Sequence, residues 1–193
     1  MRELRIHGRG GQGAVVASKF LASALFREGK WVQSFPAFGV ERRGAPVTAF
    51  LRISDSPIRL RCEISEPDDL IVLDPTLIQA VDVTTGLKQN GSILINSPEP
   101  PESYNDLTDR FVVATVDASA IAVRLGIGSS TQPIVNTSII GAFAKFSGVV
   151  GLDAVCASIA EEVPVKTDDN VRAAEEAWEA VKILSDSKHP VLT

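Results

Sequence analysis

A glycine-rich turn near the amino terminus constrains the fold of this chain more than any other feature. Residues 8–13 contain four glycines with the spacing G-x-G-x-x-G, after a strand-like run over 4–7 and before a helix-like run that begins at Ala14. Glycines let backbone N–H groups approach an anion closely, and the N–H groups at a helix start carry partial positive charge. The pattern predicts a strand–turn–helix unit that binds a phosphate or pyrophosphate. The candidate anion-binding residues are Gly8, Arg9, Gly10, Gly11, Gln12 and Gly13.

Two other interpretations of the turn stay open. One is a tight connection between a strand and a helix that binds nothing. The other is a dinucleotide site, which also requires an acidic residue at the end of the second strand to hold the ribose hydroxyls. The predicted second strand runs from Trp31 into Phe35-Pro36-Ala37-Phe38, which contains no carboxylate. That difference argues against a standard NAD or FAD site.

A second candidate site is the loop between residues 35 and 47, in which two prolines and two glycines surround a Glu-Arg-Arg cluster. Paired arginines can bind phosphates or carboxylates through two parallel hydrogen bonds, which lysine cannot do. The alternative is a solvated loop in which the glutamate pairs with an arginine. We predict that the loop contacts a ligand or a partner through Glu41, Arg42, Arg43 and Gly44.

The rest of the chain indicates an α/β fold with a mostly parallel sheet. Val47–Ile53 and Ile58–Cys62 are predicted to form an antiparallel hairpin, inserted into that sheet. Residues 126–133 are predicted to be a flexible link. Apolar runs over 70–74, 91–96 and 111–117 are typical of buried parallel strands, and helices are predicted over 14–27, 76–87, 136–146, 152–162 and 167–184. Polar residues at strand ends, where such sheets bind ligands, are Asp74, Asn96 and Asp117, the last a predicted helix cap.

Composition limits the classes of function. The chain has 193 residues, and 45% of them are apolar. It contains no apolar run of the roughly 20 residues that span a bilayer, and no signal peptide is evident. We therefore expect one cytoplasmic domain over 1–193 that does not bind a membrane. Its two cysteines, Cys62 and Cys156, lie far apart, and it has two histidines, so we expect no iron–sulfur cluster or metal site on this chain alone.

Charge is divided unevenly along the chain. Residues 1–61 contain 11 Lys and Arg against 4 Asp and Glu, whereas the remainder contains 8 against 20. This polarity favours an anionic ligand or an acidic partner for the first third, but not nucleic acid, because there is no lysine-rich run with interleaved aromatics. The sequence also lacks Gly-x-Ser-x-Gly, a nearby Cys/His pair and the Gly-Lys-Ser/Thr of a P-loop. It therefore resembles a ligand-positioning or assembly module and not a self-sufficient enzyme.

The two motifs together suggest a family. The stretch from His7 to Ala14, followed by Phe35-Pro36 and then by the segment from Gly39 to Val47, resembles the gamma subunit of pyruvate:ferredoxin oxidoreductase. More broadly, it is similar to the gamma domain of 2-oxoacid:ferredoxin oxidoreductases. The resemblance covers essentially the whole chain and continues through Pro67-Asp68, Asp74 and the helix containing Asn136 and Gly141.

The resemblance implies a Rossmann-like three-layer α/β fold with C-terminal helices. It further implies a complex that converts a 2-oxoacid to acyl-CoA, carbon dioxide and reduced ferredoxin. Thiamine diphosphate, Mg and the iron–sulfur clusters would then lie on partner subunits of the alpha, beta and ferredoxin types, with ferredoxin as the acceptor. The residues implied to help bind coenzyme A are Gly8–Gly13 and Glu41–Gly44.

The substrate stays open at this point. The resemblance implies pyruvate or a branched-chain 2-oxoacid over 2-oxoglutarate or indolepyruvate, because the family members that use the latter two tend to depart from Glu-Arg-Arg-Gly-Ala-Pro at this loop. No residue of this sequence visibly recognises the substrate side chain. A stand-alone nicotinamide-dependent oxidoreductase and a scaffold with an unoccupied glycine turn are the alternatives from other classes.

Overall fold

The computed structural model describes residues 1–37 and 44–184, which form an α/β fold around one mixed sheet. The described strands are β1 (Arg2–Arg9), β2 (Trp31–Pro36), β3 (Pro46–Ser54), β4 (Asp69–Val72), β5 (Ser92–Asn96), β6 (Val112–Val116) and β7 (Lys182–Ile183). The described helices are α1 (Ala14–Arg27), α2 (Leu77–Ala80), α3 (Asn105–Thr108), α4 (Ala118–Arg124), α5 (Asn136–Ser147), α6 (Leu152–Glu162) and α7 (Thr167–Ala180), and a 3₁₀ turn covers Pro101–Tyr104.

The strand order in the sheet is β2-β3-β1-β4-β5-β6-β7. The central strands β1, β4, β5 and β6 are parallel, as the continuous apolar runs predict. The two-residue β7 pairs antiparallel with β6 at one edge. At the other edge β3 pairs antiparallel with both β1 and β2. The sheet is therefore parallel in its buried centre and antiparallel at its two sides.

The antiparallel insertion is confirmed, but its predicted partner is wrong. We predicted that Val47–Ile53 pairs with Ile58–Cys62, whereas β3 pairs with β2 and β1, and residues 58–62 form no strand. Both edges of β3 are already occupied, so no ladder position is left for the later segment. Side chains of the sheet hold it instead: Arg52 donates to the Cys62 carbonyl at 2.8 Å, and Gln33 donates to the Leu60 carbonyl at 2.9 Å.

The two faces of the sheet carry layers of different thickness. Helices α1, α4, α5, α6 and α7 cover one face and enclose the larger hydrophobic core. The short α2, α3 and the 3₁₀ turn cover part of the other face over a smaller core that includes Leu70, Val72, Ile93 and Val113. The predicted helix over 76–87 is wrong in extent, because α2 is a single turn. The predicted last helix ends earlier, at Ala180, and the chain then adds β7.

Close packing between α5 and α7 fixes the position of α5 over the sheet. A Cβ at Gly141 would lie 2.1 Å from the carbonyl oxygen of Ala174, so the two helices meet backbone to backbone. Buried Thr137 donates to the side-chain oxygen of Asn170 at 2.9 Å near the same crossing. As a result, Asn136, the first residue of α5, lies against the glycine-rich turn. In the described ranges, no helix combines the length and apolar composition that crossing a membrane requires.

Candidate functional site

The glycine-rich turn lies at the carboxyl end of β1, where open α/β sheets bind ligands. Gly10 continues the pairing beyond β1, since its N–H donates to the Ala45 carbonyl at 2.9 Å and its own carbonyl accepts from the Gly44 N–H at 3.1 Å. The chain then turns through Gly11, with φ 101°, and Gly13, with φ 85°. Both values lie in the left-handed region that favours glycine. The predicted strand–turn–helix unit is confirmed, with α1 starting at Ala14 as predicted.

The glycines of the turn have different roles. A Cβ at Gly8 would lie 3.1 Å from Cδ1 of Leu73, and one at Gly13 would lie 3.0 Å from Nδ2 of Asn136. These two positions therefore allow β1 to pack on the loop after β4, and the turn to pack on α5. A Cβ at Gly11 would meet nothing within 4 Å. Gly11 is the position at which a ligand can approach the backbone without obstruction.

The turn also presents the amino terminus of a long helix. Gly13 precedes α1 and supplies no side-chain cap, and the first helical bond runs from the Ala17 N–H to the Gly13 carbonyl at 2.8 Å. The N–H groups of the first helical turn consequently have no partner within the helix. There is no acidic residue in that turn. Its partial positive charge is thus not offset within α1 and favours an anion nearby.

Arg9 makes three side-chain contacts at the edge of the cleft. Its Nε donates to Oδ2 of Asp74 at 2.9 Å, and its terminal nitrogens donate to the Gly44 carbonyl at 3.1 Å and to Oγ1 of Thr76 at 2.9 Å. Arg9 therefore ties the turn to the loop after β4 and to the start of β3. The guanidinium is therefore ion-paired with Asp74. It has five donor hydrogens, of which these contacts use three, so two remain for a ligand.

Asp74 is held in its ionised form. Partial burial opposes ionisation, but hydrogen bonds from the hydroxyl and the backbone N–H of Thr76 and from Arg9 outweigh it, so the pKa of Asp74 lies below its ordinary value. The Thr76 hydroxyl lies 2.6 Å from Oδ1 of Asp74. The Arg9–Asp74 contact is consequently an ion pair at neutral pH.

Gln12 forms two hydrogen bonds with Arg9 within the glycine-rich turn. Its side-chain oxygen accepts from the Arg9 N–H at 2.7 Å, while its own N–H donates to the Arg9 carbonyl at 3.0 Å. With both groups bonded inside the turn, the backbone conformation is fixed before any ligand arrives. A fixed turn reduces the entropy that binding would otherwise cost.

The opposite wall of the site is a small hairpin that sequence reasoning missed. Residues 126–133 were predicted to be a flexible link, but Gly128 bridges Pro133, and Ser129 and Gln132 exchange backbone hydrogen bonds of 3.1 and 3.2 Å. The signal in the sequence was a group of polar residues between a glycine and a proline, which is typical of a tight turn. Between this hairpin and the glycine turn lies a cleft of about 680 Å³, lined by Arg9, Gly10, Gly11, Gln12, Gly44, Gly128, Ser129, Thr131, Gln132, Pro133 and Ile134.

The structure brings together part of the predicted set. Arg9, Gly10, Gly11, Gln12 and Gly44 line the cleft, whereas Gly8 and Gly13 shape the turn from behind. The predicted contacts of Glu41, Arg42 and Arg43 lie outside the described residues. Of the polar residues at strand ends, Asp74 joins the site through Arg9, while Asp117 caps α4 by accepting from the Ala120 N–H at 2.8 Å, which confirms its predicted role. Asn96 bonds to the Leu73 carbonyl and to Ser119.

The sheet order argues against a dinucleotide site. In the standard dinucleotide fold the second strand pairs directly with the first, so its terminal acidic residue reaches the ribose. Here β3 lies between β1 and β2, and β2 ends at Pro36 without a carboxylate. The ends of β1 and β2 are therefore separated by a strand.

Acid–base and metal chemistry find little support among the described residues. Within residues 1–37 and 44–184, no three or more His, Cys, Asp or Glu side chains group in a way that could hold a metal ion. His7, just before the turn, accepts a hydrogen bond from Arg5 at 2.9 Å, and burial together with the Arg5 charge lowers its pKa to about 4. His7 is therefore neutral at physiological pH. Burial, with Glu175 and Asp153 nearby, raises the pKa of the Cys156 thiol.

Comparison with known proteins assigns the family. The model of the family described as pyruvate ferredoxin/flavodoxin oxidoreductase matches residues 3–180. The "Pyruvate/ketoisovalerate oxidoreductases common subunit gamma" of Thermococcus kodakarensis is 50% identical over 182 residues, which are 92% of this chain and 96% of that one. The "Pyruvate synthase subunit PorC" of Methanosarcina barkeri is 51% identical over 155 residues, 80% of this chain and 82% of that one.

A solved structure supports the same family assignment. The crystal structure of the pyruvate oxidoreductase subunit PORC of Thermotoga maritima is 35% identical and superposes with a TM-score of 0.81 over 95% of this chain and 98% of that one. These similarities extend over the glycine turn, the sheet and the C-terminal helices together. This chain belongs to the pyruvate ferredoxin/flavodoxin oxidoreductase family and is a gamma-type subunit of a multi-subunit oxidoreductase complex.

Proposed function

We propose that this subunit helps to bind coenzyme A in a complex that oxidatively decarboxylates a 2-oxoacid. Pyruvate is the first candidate substrate, and the products are acyl-CoA, carbon dioxide and reduced ferredoxin. The cleft between the glycine turn and the 127–134 hairpin receives the phosphates of coenzyme A. Thiamine diphosphate, Mg and the iron–sulfur clusters are held by partner subunits of the alpha, beta and ferredoxin types.

The observation that carries the proposal is the open backbone at Gly11 inside the 680 Å³ cleft. A phosphate is recognised by backbone N–H groups and a nearby cation. Arg9 supplies the cation, and the start of α1 supplies N–H groups that have no partner within the helix. Arg9 already lies in the cleft, with two of its terminal contacts made to neutral oxygens that a phosphate can replace. Arg42 and Arg43, which precede Gly44 in the same loop, add the charge that a ligand with several phosphates requires.

The choice of 2-oxoacid belongs to other subunits. The relative from Thermococcus kodakarensis is named as common to pyruvate and ketoisovalerate oxidoreductases, so one gamma subunit there serves two substrates. In this chain the described cleft is lined mainly by glycines, polar side chains and Arg9, and its apolar lining is limited to Pro133 and Ile134, which is little to discriminate one 2-oxoacid side chain from another. Pyruvate and branched-chain 2-oxoacids are therefore both compatible with it.

The test uses the assembled complex with single substitutions in this subunit. Arg42→Gln and Arg43→Gln are each expected to raise the KM for coenzyme A about tenfold, the effect of losing one phosphate contact worth about 1.4 kcal/mol. The KM for the 2-oxoacid is expected to stay unchanged. Arg59→Gln is the matched control, because Arg59 is exposed on the segment after β3 and lies outside the cleft lining.

Two results would contradict the proposal. An unchanged KM for coenzyme A in both variants would remove these arginines from its binding site. Equal effects of Arg42→Gln and Arg59→Gln would show a general electrostatic influence and not a contact. Assembly of each variant complex, checked by gel filtration, separates either result from loss of the partner subunits.

A further inference from the structure

A second cavity lies at the other end of the sheet, where the parallel strands begin. Its volume is about 440 Å³, within the range of small-molecule sites. One wall is formed by the loop over 88–91 and the first residues of β4, β5 and β6, and the other by the last turn of α5 and the end of β7. β1 runs for eight residues from this cavity to the glycine turn, so the two sites are roughly 20 Å apart.

The floor of this cavity carries an ion pair whose carboxylate is buried. Arg2 donates to both oxygens of Asp69, through Nε at 2.5 Å and Nη2 at 2.8 Å, and the Asp69 side chain is 1% exposed. Ser92 donates to Asp69 as well, at 2.5 Å. Asp69 is thus fully bonded, whereas Arg2 keeps hydrogens on both terminal nitrogens, because a guanidinium has five and these contacts, with a 3.5 Å bond to the Ser147 carbonyl, use three.

Two lysines, Lys88 and Lys145, lie at the rim of this cavity. Lys88 donates to Oδ1 of Asp68 at 2.7 Å, and this hydrogen bond raises the pKa of Lys88, so it stays charged. Lys145, in the last turn of α5, lies 3.8 Å from a carboxylate oxygen of Glu179, a side chain that is 81% exposed. That contact is long and solvated, so another anion can replace it. The lining residues therefore carry three positive charges against two negative ones.

The apolar part of the lining comes from both walls and consists of Val112, Phe146, Ile183 and Leu184. The Arg2–Asp69 pair, whose carboxylate is buried and whose guanidinium is 26% exposed, lies next to this apolar part. A charged floor with unused donors, a cationic rim and an apolar part of the lining are together the features that recognise an amphipathic anion.

We propose that this cavity is a second ligand site, which binds a small organic monoanion with a carboxylate head and a compact apolar body. The carboxylate binds between Lys145 and the free N–H groups of Arg2. The apolar body packs on Phe146 and Ile183. The site is distinct from the coenzyme A cleft, because the two share no lining residue.

The test is an NMR titration of the full-length, ¹⁵N-labelled chain with 4-methylpentanoate and with phenylacetate. Saturable shift changes are expected at the amides of Asn90, Gly91, Phe146 and Ile183. The neutral analogue 4-methylpentanamide is expected to cause none of them. Lys145→Gln is expected to weaken both acids about fivefold, as loss of a partly exposed charge contact does, whereas Lys19→Gln, on the exposed side of α1, leaves both affinities unchanged.

A second variant tests the apolar part of the lining independently of charge. Ile183→Trp fills the cavity and is expected to abolish the saturable shifts while the rest of the spectrum stays that of the folded chain. The proposal is overturned if the acids cause no saturable shifts at these amides, or if the amide binds as the acids do. It is equally overturned if binding survives both Lys145→Gln and Ile183→Trp unchanged.

Discussion

The two ends of β1 are anchored in different ways. Each end carries an arginine that pairs with an aspartate at or just beyond the corresponding end of the neighbouring strand β4. At the amino end Arg2 binds Asp69 through two nitrogens, and the carboxylate is 1% exposed. At the carboxyl end Arg9 reaches Asp74 through one nitrogen at 2.9 Å, and that carboxylate is 16% exposed.

Because the Asp69 carboxylate is buried and the Asp74 carboxylate is partly exposed, we infer that the Arg2–Asp69 pair supports the fold and that the Arg9–Asp74 pair can change its contacts. The two arginine side chains are similarly exposed, 26% for Arg2 and 30% for Arg9, so the difference lies in the carboxylates. Replacing Asp69 alters a carboxylate that is shielded from water and bonded to both Arg2 and Ser92, which is costly. Arg9 divides its hydrogen bonds among Asp74, Gly44 and Thr76, and its carboxylate partner is partly exposed. An anionic ligand can therefore recruit Arg9 without breaking the fold, which suits a binding cleft.

The largest expected effect is on the Arg2–Asp69 pair. Asp69→Asn keeps the shape but removes the charge opposite Arg2, and we expect a loss of about 3 kcal/mol in the free energy of unfolding. Asp74→Asn should cost about 1 kcal/mol, as a partly exposed ion pair does. For a chain of this size the first change lowers Tm by roughly 6–12 °C. Urea unfolding of both variants measures the two values.

Asp68→Asn is the control for this comparison. Asp68 is adjacent in the chain but pairs with Lys88, and both side chains are more than a quarter exposed. Its other oxygen accepts from the Glu3 N–H at 2.7 Å, a contact that the amide oxygen of asparagine can also make. Its substitution should cost no more than that of Asp74. Equal losses for Asp69→Asn and Asp74→Asn would show that burial does not distinguish the two ends.

The sequence predicted local features better than pairings. Helix α1 was predicted with the observed bounds, because an apolar face with a period of 3.6 residues follows an unmistakable turn. The pairing partner of β3 was predicted wrongly, because apolar and polar residues alternate in Ile58–Cys62 as regularly as in a true strand. Which segment pairs with β3 depends on β1 already occupying one of its edges, and that is a property of the whole sheet.

The site shows the same limit. The glycine turn is visible in the sequence because six adjacent residues build it. The 127–134 hairpin lies opposite the turn, although more than a hundred residues separate the two in the sequence. Arg9 and Asp74 form an ion pair although they are 65 residues apart in the sequence. Contacts of that range are set by the sheet order, so a single sequence predicts the candidate residues but not which of them meet.

A smaller effect distinguishes two glycines of the turn. Gly11→Ala places a side chain in open space but keeps φ 101°, so we expect a cost of about 1 kcal/mol for the left-handed backbone. Gly13→Ala has the same penalty and in addition pushes against Asn136, 3.0 Å away, for a total of about 2 kcal/mol. Thermal unfolding compares the two. If Gly11→Ala costs as much as Gly13→Ala, then contact with α5 does not constrain the turn.

The smallest effect is the pH dependence of the Arg9–Asp74 pair. Because the pKa of Asp74 in the folded chain lies below its ordinary value, the pair stabilises the fold fully above the pKa of an unfolded aspartate, about 3.9, and loses that contribution as the pH falls through the folded value. The amide that Asp74→Asn introduces does not titrate. The difference in the free energy of unfolding between the natural chain and Asp74→Asn should therefore be constant from pH 7 to pH 5 and shrink towards pH 3. A difference that stays the same down to pH 3 would mean that Asp74 acts through its shape and not through its charge.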